Sequence, residues 1–159
     1  EHLAASGIPH VVLRNGWYHE NYLGEVAGVT QTGTLLSAAA DGRVASASRS
    51  DLAEAAAVVL AGEVSGRTFT LTGDVAWSQA DLAADLAALL GREVVLQQVT
   101  PAAKRESLAA AGLDAGTIGF IVGVDEAIAD GELGVVNGEL SSLIGHPTAS
   151  LRETLAPLV

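Results

Sequence analysis

Short strand-like runs alternate with helices along this chain, and that alternation limits its fold more than any other feature. Residues 11–13 form a wholly apolar run of strong β-formers, which predicts a strand buried on both faces, as in a parallel sheet. Residues 67–72 and 93–99 are two more strand-like runs, and residues 34–36 are a shorter one. Strands separated by helices and short glycine turns indicate an α/β domain.

Capping residues predict where the helices begin and end. Ser78 followed by Asp81 has the spacing of a capping box, so a helix is predicted over residues 78–90 with Gly91 as its stop. Ser50 is read as the N-cap of a helix over 50–60, and Gly24, Gly28 and Gly33 as turns. A last helical turn is predicted at residues 3–5, and an irregular helix at 116–129. Thr100 and Pro101 open a predicted helix at 100–112. Pro147 and Thr148 open a last short helix, with Ser150 and Glu153 as a capping pair.

The charge of the chain excludes several functions. It carries 8 basic and 19 acidic residues, a net charge of −11, with Lys104 as its single lysine. Because such a surface repels phosphates, nucleic-acid binding is not expected. No apolar run reaches the roughly 18 residues of a membrane span. The absence of cysteine fits a reducing cytoplasm, and no metal site is expected, since the histidines lack ligand spacing.

The chain contains no methionine, although translation starts with one. It begins at Glu1 with residues that resemble the end of a helix already under way. From the sequence alone, we therefore expect further residues upstream.

The segment that follows the first predicted strand carries the residues suited to ligand binding. Residues 17–22 hold three of the six aromatic side chains, mixed with polar ones. Ligands of open α/β sheets bind outside the carboxyl ends of the strands, which is where this loop should lie. Aromatic faces beside a few polar groups suit a flat, partly polar ligand such as a nicotinamide or quinone ring.

Each residue of this loop has a role that its chemistry allows. The Asn15 amide can match a carboxamide or hold a carbonyl oxygen, and Gly16 allows close backbone approach. Trp17 and Tyr18 offer stacking area, and the Tyr18 hydroxyl can donate to an oxygen that gains negative charge. Two further residues complete the set: His19, which could supply a proton, and Glu20, which with Asn21 could bind ribose hydroxyls or brace the loop.

Structural interpretations compete with these roles. Asn15-Gly16 is a strong turn signal by itself. Trp17 and Tyr22 could equally be core aromatics, and a lone histidine such as His19 is more often solvated than catalytic. From composition alone the loop supports only a ligand-binding α/β segment.

The motif Leu-Arg-Asn-Gly-Trp-Tyr-x-Glu-Asn-Tyr at residues 13–22 resembles the signature that follows a strand in NmrA-like atypical short-chain dehydrogenase/reductases. Its form is most similar to bacterial NAD(P)H:quinone oxidoreductases of the second type. The likeness continues through residues 38–51, 71–78 and 143–148.

The resemblance implies that residues 1–159 are the carboxy-terminal portion of a Rossmann-type NAD(P)-binding fold together with its small substrate-binding region. It places Asn15, Gly16, Trp17, Tyr18, His19 and Glu20 at the nicotinamide end of the cofactor and at the wall of the quinone pocket. Ser46 is implied as a further cofactor neighbour. Asn15 and Tyr18 are the residues expected to take part in catalysis.

The implied reaction is hydride transfer from NAD(P)H to a quinone, with NADPH the expected cofactor and NADH the alternative. Two other readings remain open: a non-catalytic dinucleotide-binding redox sensor, and an isolated chain that is inert. The glycine-rich phosphate motif that should open a helix behind the first strand of such a fold is absent, which puts independent activity in doubt. The Tyr-x-x-x-Lys pair of ordinary short-chain dehydrogenases is absent too, which fits atypical members. A homodimer is left open by the sequence.

Overall fold

The predicted α/β class is confirmed. The structure is a computed structural model that describes residues 2–62 and 66–159, so Glu1 lies outside it. Six strands pair two by two within the described residues. The strands are β1 (Val12–Asn15), β2 (Thr34–Ser37), β3 (Arg43–Val44), β4 (Thr68–Leu71), β5 (Trp77–Ser78) and β6 (Val95–Gln98). The helices are α1 (His2–Ala5), α2 (Leu23–Thr32), α3 (Arg49–Ala61), α4 (Gln79–Leu90), α5 (Pro101–Ala110), α6 (Ala115–Ala129), α7 (Glu139–Ile144) and α8 (Leu151–Leu155), with 3-10 turns at His19–Tyr22 and Ala156–Leu158.

The pairing of β1 with β4 sets the position of the aromatic loop. The two strands are parallel, with Asn15 opposite Leu71, so both end at the same edge of the sheet. The prediction that residues 11–13 are buried on both faces is wrong in this structure. Val12 and Leu13 are half-buried and Asn15 is exposed, because β4 is the only strand beside β1 among the described residues.

A second parallel pair is connected to two helices by a buried carboxylate. Strand β2 pairs with β6, with Leu35 opposite Leu96, and α5 packs against α6. A buried ion pair joins these helices, since Lys104 Nζ lies 2.5 Å from an Asp125 carboxylate oxygen. The same oxygen accepts a hydrogen bond from the backbone N–H of Ala38, just after β2. One carboxylate therefore connects three separate segments.

The helix predicted over residues 78–90 is confirmed in detail. Ser78 and Asp81 form the reciprocal capping box, and Gly91 ends α4 in the left-handed conformation. Leu82 and Leu86 are fully buried, so this face of α4 packs in the core. The helices expected at 100–112 and 116–129 are likewise present as α5 and α6.

Three local predictions are wrong. Ser48, not Ser50, caps α3, and its hydroxyl accepts from the N–H of Asp51. Gly24 and Gly28 lie inside α2 rather than in turns, and only Gly33 has the predicted turn geometry, as its left-handed C-cap. The last helix does not open at Pro147 and Thr148, since α8 begins after Ser150, which forms the predicted capping box with Glu153. Thr148 instead bonds Asp74, and helix α7 was not predicted at all.

A buried histidine joins the aromatic loop to the last helix. His19 is 2% exposed, and its Nδ1 lies 2.9 Å from the hydroxyl oxygen of Thr154 on α8. This contact spans 135 positions of sequence. The imidazole is therefore a core group here, and the expectation of a solvated side chain is wrong.

Two kinds of feature are missing from the described residues. No helix among them is both long and apolar enough to cross a membrane. No group of three or more histidine and carboxylate side chains within 2–62 and 66–159 is arranged to hold a metal ion.

The position of Gly73 yields a test of the packing behind the loop. A Cβ atom built on Gly73 would lie 2.0 Å from the carbonyl oxygen of Ser46. We expect Gly73→Ala to lower the free energy of unfolding by roughly 1–3 kcal/mol, because the backbone must move. Gly119→Ala is the control, since its Cβ meets nothing within 4 Å, and it should raise stability by up to about 1 kcal/mol. Equal effects in chemical denaturation would contradict this packing.

His19 should make stability depend on pH. Burial lowers the pKa of its imidazole, and the neighbouring charges of Glu20 and Asp51 only partly oppose this. The unfolded chain, with a pKa of about 6.5, therefore takes up the proton first as pH falls. Stability from neutral His19 is present above that pH and is lost as pH drops towards the folded pKa. Between about pH 7 and pH 5, the unfolding midpoint should fall more for wild type than for His19→Gln.

His146 should affect the pH dependence of stability in the opposite direction to His19. The Pro147 carbonyl and Glu54 raise the pKa of its imidazole, so its contribution to stability is present at low pH and is lost as pH rises through the folded pKa.

Parallel pH profiles of the unfolding midpoint for wild type and His19→Gln would show that His19 is not buried as a neutral group.

Candidate functional site

A cavity of about 230 Å³ opens where β1 and β4 end. Strand β1 contributes Asn15, and the chain leaving β4 contributes Thr72. Leu133, from the segment after α6, lies on the other side. This is the carboxyl edge at which ligands of open α/β sheets bind, so the predicted location of the loop is confirmed.

Asn15 and Gly16 form the floor of this cavity. The Asn15 side chain is exposed, and its amide makes no hydrogen bond to any residue in the described part of the chain. The Gly16 N–H donates to Leu71 O at 2.8 Å, and a Cβ on Gly16 would come within 3.0 Å of that oxygen. Glycine therefore allows the loop to lie directly against the end of β4 and leaves the Asn15 amide open to a ligand.

Trp17 lies between two cavities. Its indole lines the cavity at Asn15 and, on the other side, a cavity of about 210 Å³ beneath α6. The ring is half-buried and lies 6.1 Å from the Phe120 ring, centroid to centroid. The core interpretation of Trp17 is thus partly correct, because the side chain packs on the core and also forms a cavity wall. Its stacking on a ligand stays a prediction. Tyr22, by contrast, is a core residue with 6% exposure, packed edge-on against Trp77.

Tyr18 faces a shallower cavity on the opposite side of Asn15. About 250 Å³ in volume, it is lined by Asn15, Tyr18, Arg49 and residues of α3. The Arg49 guanidinium carbon lies 5.1 Å from the centre of the Tyr18 ring, within the range of a cation–π contact. The Tyr18 hydroxyl has no hydrogen-bond partner among the described residues. Asn15 is therefore flanked by both predicted stacking rings.

The other predicted residues lie elsewhere. Both Glu20 carboxylate oxygens accept from the backbone N–H of Arg49, at 2.9 and 3.2 Å, so this side chain braces the loop against α3. Ser46 is buried, and its hydroxyl accepts from the Trp77 indole at 2.8 Å. Direct contact of Glu20, His19 and Ser46 with a cofactor stays a prediction.

His19 and Ser46 line a separate cavity of about 450 Å³. Three carboxylates surround it, those of Asp74, Asp81 and Asp85, and Arg43 is the one basic side chain in its lining apart from His19. Hydrogen bonds from Thr148 and Ser141 lower the pKa of Asp74, which keeps that carboxylate charged. A cavity of this charge opposes a phosphate group.

Thr72 and Leu133 line the cavity at Asn15 but are not among the site residues that the sequence predicts. Thr72 is predicted only as the end of a strand, and the sequence predicts no element at Leu133. The available signal is that Thr72 lies at the end of one predicted strand and Asn15 lies just beyond the end of another. Only the parallel register of β1 with β4 shows that the two residues share an edge.

The geometry can be compared with known proteins. The chain is 40% identical over 158 residues to quinone oxidoreductase 2 of Escherichia coli K12, covering 98% of this chain and 55% of that protein. It is 28% identical over 159 residues to the uncharacterized oxidoreductase YesF of Bacillus subtilis, covering 98% and 56%. The chain thus spans about half the length of these relatives. No protein-family model matches it.

Solved structures of reductases have the same fold as this chain. The E. coli NADPH-dependent quinone oxidoreductase in complex with NADPH superposes with a TM-score of 0.91 at 39% identity, over 99% of this chain and 56% of that one. Triphenylmethane reductase of Citrobacter sp. gives 0.92 at 30% identity, over 98% and 55%. A nucleoside-diphosphate-sugar epimerase of Staphylococcus aureus, at 21% identity and 0.84, shares the fold. The chain therefore has the fold of Rossmann-type NAD(P)-binding reductases, and its resemblance to NmrA-like reductases of the type-two quinone oxidoreductase kind is confirmed over almost its entire length.

Proposed function

We propose that this chain forms the ring-side wall of the active site of an NADPH-dependent quinone reductase. The observation that carries the proposal is the free Asn15 amide, which lies at the carboxyl edge of a parallel strand pair between an indole and a phenol. A similar protein from E. coli is named a quinone oxidoreductase and was solved with NADPH. NADH is the alternative cofactor.

The residues at this edge fit a nicotinamide ring. A carboxamide needs both a donor and an acceptor, and the Asn15 side chain offers both. The indole of Trp17 offers an apolar face beside it. When bound, NADPH supplies a hydride, and a quinone that accepts this hydride and one proton becomes the hydroquinone. The work of the protein is to orient the two rings and to hold the quinone oxygen as it gains charge, for which the Tyr18 hydroxyl is available.

We propose further that the chain is the carboxy-terminal portion of a longer protein whose other half carries the glycine-rich phosphate site. Two observations support this. The chain spans about 55% of the relatives it matches, and β1 has one paired edge within the described residues. The proposal also includes a cytoplasmic location, which fits the absence of cysteine. It further includes assembly as a homodimer, which light scattering on the full-length protein would test.

Replacing Asn15 tests the proposed role directly. In the full-length protein, Asn15→Ala should lower kcat/KM for quinone reduction by about tenfold, the effect of losing one hydrogen bond of roughly 1.4 kcal/mol. Gln97→Ala removes another exposed strand amide, on β6, and should leave the kinetics unchanged. Wild-type kinetics in Asn15→Ala would remove Asn15 from the site.

A second measurement separates the enzyme from a redox sensor. With excess quinone, the full-length protein should oxidise NADPH steadily over many turnovers, and Tyr18→Phe should reduce the rate without abolishing cofactor binding. Stoichiometric binding of NADPH with no turnover on any quinone would favour a sensor that regulates a partner.

A further inference from the structure

An arginine lies in the lining of the cavity that Asn15 and Tyr18 share. This cavity, of about 250 Å³, has Asn15 and Tyr18 on one side and the first turns of α3 on the other. Arg49 is the one charged side chain in its lining among the residues that the structure describes. The other lining residues of α3 are apolar: Leu52, Ala53 and Ala56.

Backbone contacts fix Arg49 beside the Tyr18 ring. Both Glu20 carboxylate oxygens accept from the Arg49 backbone N–H, and Ala47, two residues earlier, forms a bridge with Tyr18. The guanidinium carbon of Arg49 lies 5.1 Å from the centre of the Tyr18 ring. None of these backbone contacts uses the guanidinium, so this group is not needed to hold the start of α3 against the loop.

The positive charge of Arg49 is not neutralised by its neighbours. Its guanidinium makes one long hydrogen bond, of 3.5 Å, to the amide oxygen of Asn21. The Glu20 carboxylate is bonded to the backbone N–H instead, and the buried Asp51 carboxylate accepts from the N–H of Ala149. Arg49 takes part in no salt bridge within residues 2–62 and 66–159.

Arg49 occupies a position that is unfavourable for a cation. It is the first residue of α3, directly after the N-cap Ser48. The N-terminus of a helix carries a partial positive charge, so a cation there destabilises the helix. Local choices that oppose the fold are expected chiefly at functional sites. The position of Arg49 therefore suits a role in the site better than a role in the helix.

We infer that Arg49 is a positioning residue for Tyr18 in quinone reduction. Its guanidinium packs on the face of the phenol ring and holds the hydroxyl where it donates to the quinone oxygen. The positive charge favours the negative charge that this oxygen gains as the hydride arrives. Because the quinone is neutral before the transfer, Arg49 lowers the barrier more than it strengthens quinone binding. This inference rests on the proposed function and adds a residue of α3 to its site.

Arg49→Met in the full-length protein tests the charge. Methionine keeps the backbone contact with Glu20 and an unbranched apolar stem. We expect kcat for a neutral quinone to fall about fivefold, and KM for the quinone and for NADPH to change by less than about twofold. Arg49→Lys keeps a charge without the planar guanidinium and should recover part of kcat. A rise in KM with unchanged kcat would overturn the inference.

Arg105→Met is the matched control for Arg49→Met. It removes another exposed arginine, which pairs with Glu126 between α5 and α6, and so changes the net charge by the same amount. Its kcat and both KM values should be those of wild type. An equal fall of kcat in both variants would show an effect of net charge alone, and would overturn the inference.

A double variant tests whether Arg49 acts through the Tyr18 hydroxyl. Tyr18→Phe removes the hydroxyl and keeps the ring, so adding Arg49→Met to it should lower kcat further by less than about twofold. The melting temperature of Arg49→Met should stay within about 2–4 °C of wild type, because the lost cation–π contact and the relieved helix terminus oppose each other. Additive losses of kcat, or a larger drop in melting temperature, would show a structural role and overturn the inference.

A binding measurement separates this inference from the proposed function. The probe is 2-hydroxy-1,4-naphthoquinone, whose ionised hydroxyl group places negative charge on its oxygens before any hydride transfer. By calorimetry without NADPH, Arg49→Met should weaken its binding to the full-length protein about fivefold, and that of neutral 1,4-naphthoquinone by less than about twofold.

The outcomes of the binding and kinetic measurements differ for the two proposals. If no quinone is reduced but the anionic probe shows this difference, the role of Arg49 as the charge beside the bound oxygen stands and the proposed function fails. If quinones are reduced and Arg49→Met behaves as wild type in both measurements, the proposed function stands and the inference fails. If neither naphthoquinone binds and none is reduced, both fail.

Discussion

The structure depends on one parallel contact, the register of β1 against β4. It brings the two strand ends to one edge, and the backbone continues the contact beyond the strands. Gly16 N–H donates to Leu71 O, and the 17–19 segment then bonds Ala47 on both sides, with His19 N–H donating to its carbonyl and Trp17 O accepting from its N–H. Residues 16–19 are thus held by main-chain bonds, to which the side chains of His19 and Glu20 add contacts with α8 and α3. This leaves Asn15, Trp17 and Tyr18 available to contact a ligand.

The predictable part of the fold consists of elements whose signals are local. The capping box at Ser78, the glycine stop at Gly91 and the Pro101 helix start each depend on residues within one or two turns, and all are present. Helix α2 was missed because its glycines resemble turns, although the helix is stabilised by packing of Val26 and Val29 in the core. Tertiary packing outweighs the modest helix penalty of glycine there.

The candidate site likewise has a part that local sequence patterns predict and a part that they do not. The strand end and the aromatic loop were visible in the sequence, since an apolar β-run before a polar and aromatic segment is a local pattern. The positions of His19 and Ser46 were not, because their partners Thr154 and Trp77 are far away in sequence. Similarly, nothing local shows that Arg49 lies against the Tyr18 ring. Contacts of that kind depend on the three-dimensional path of the chain.

The buried pair between Lys104 and Asp125 has a consequence for chemical modification. The only lysine of the sequence is 4% exposed and bonded to a carboxylate. Acylation of this amine requires the Lys104–Asp125 contact between α5 and α6 to open. The rate at which Lys104 is acylated therefore reports how often these two helices part.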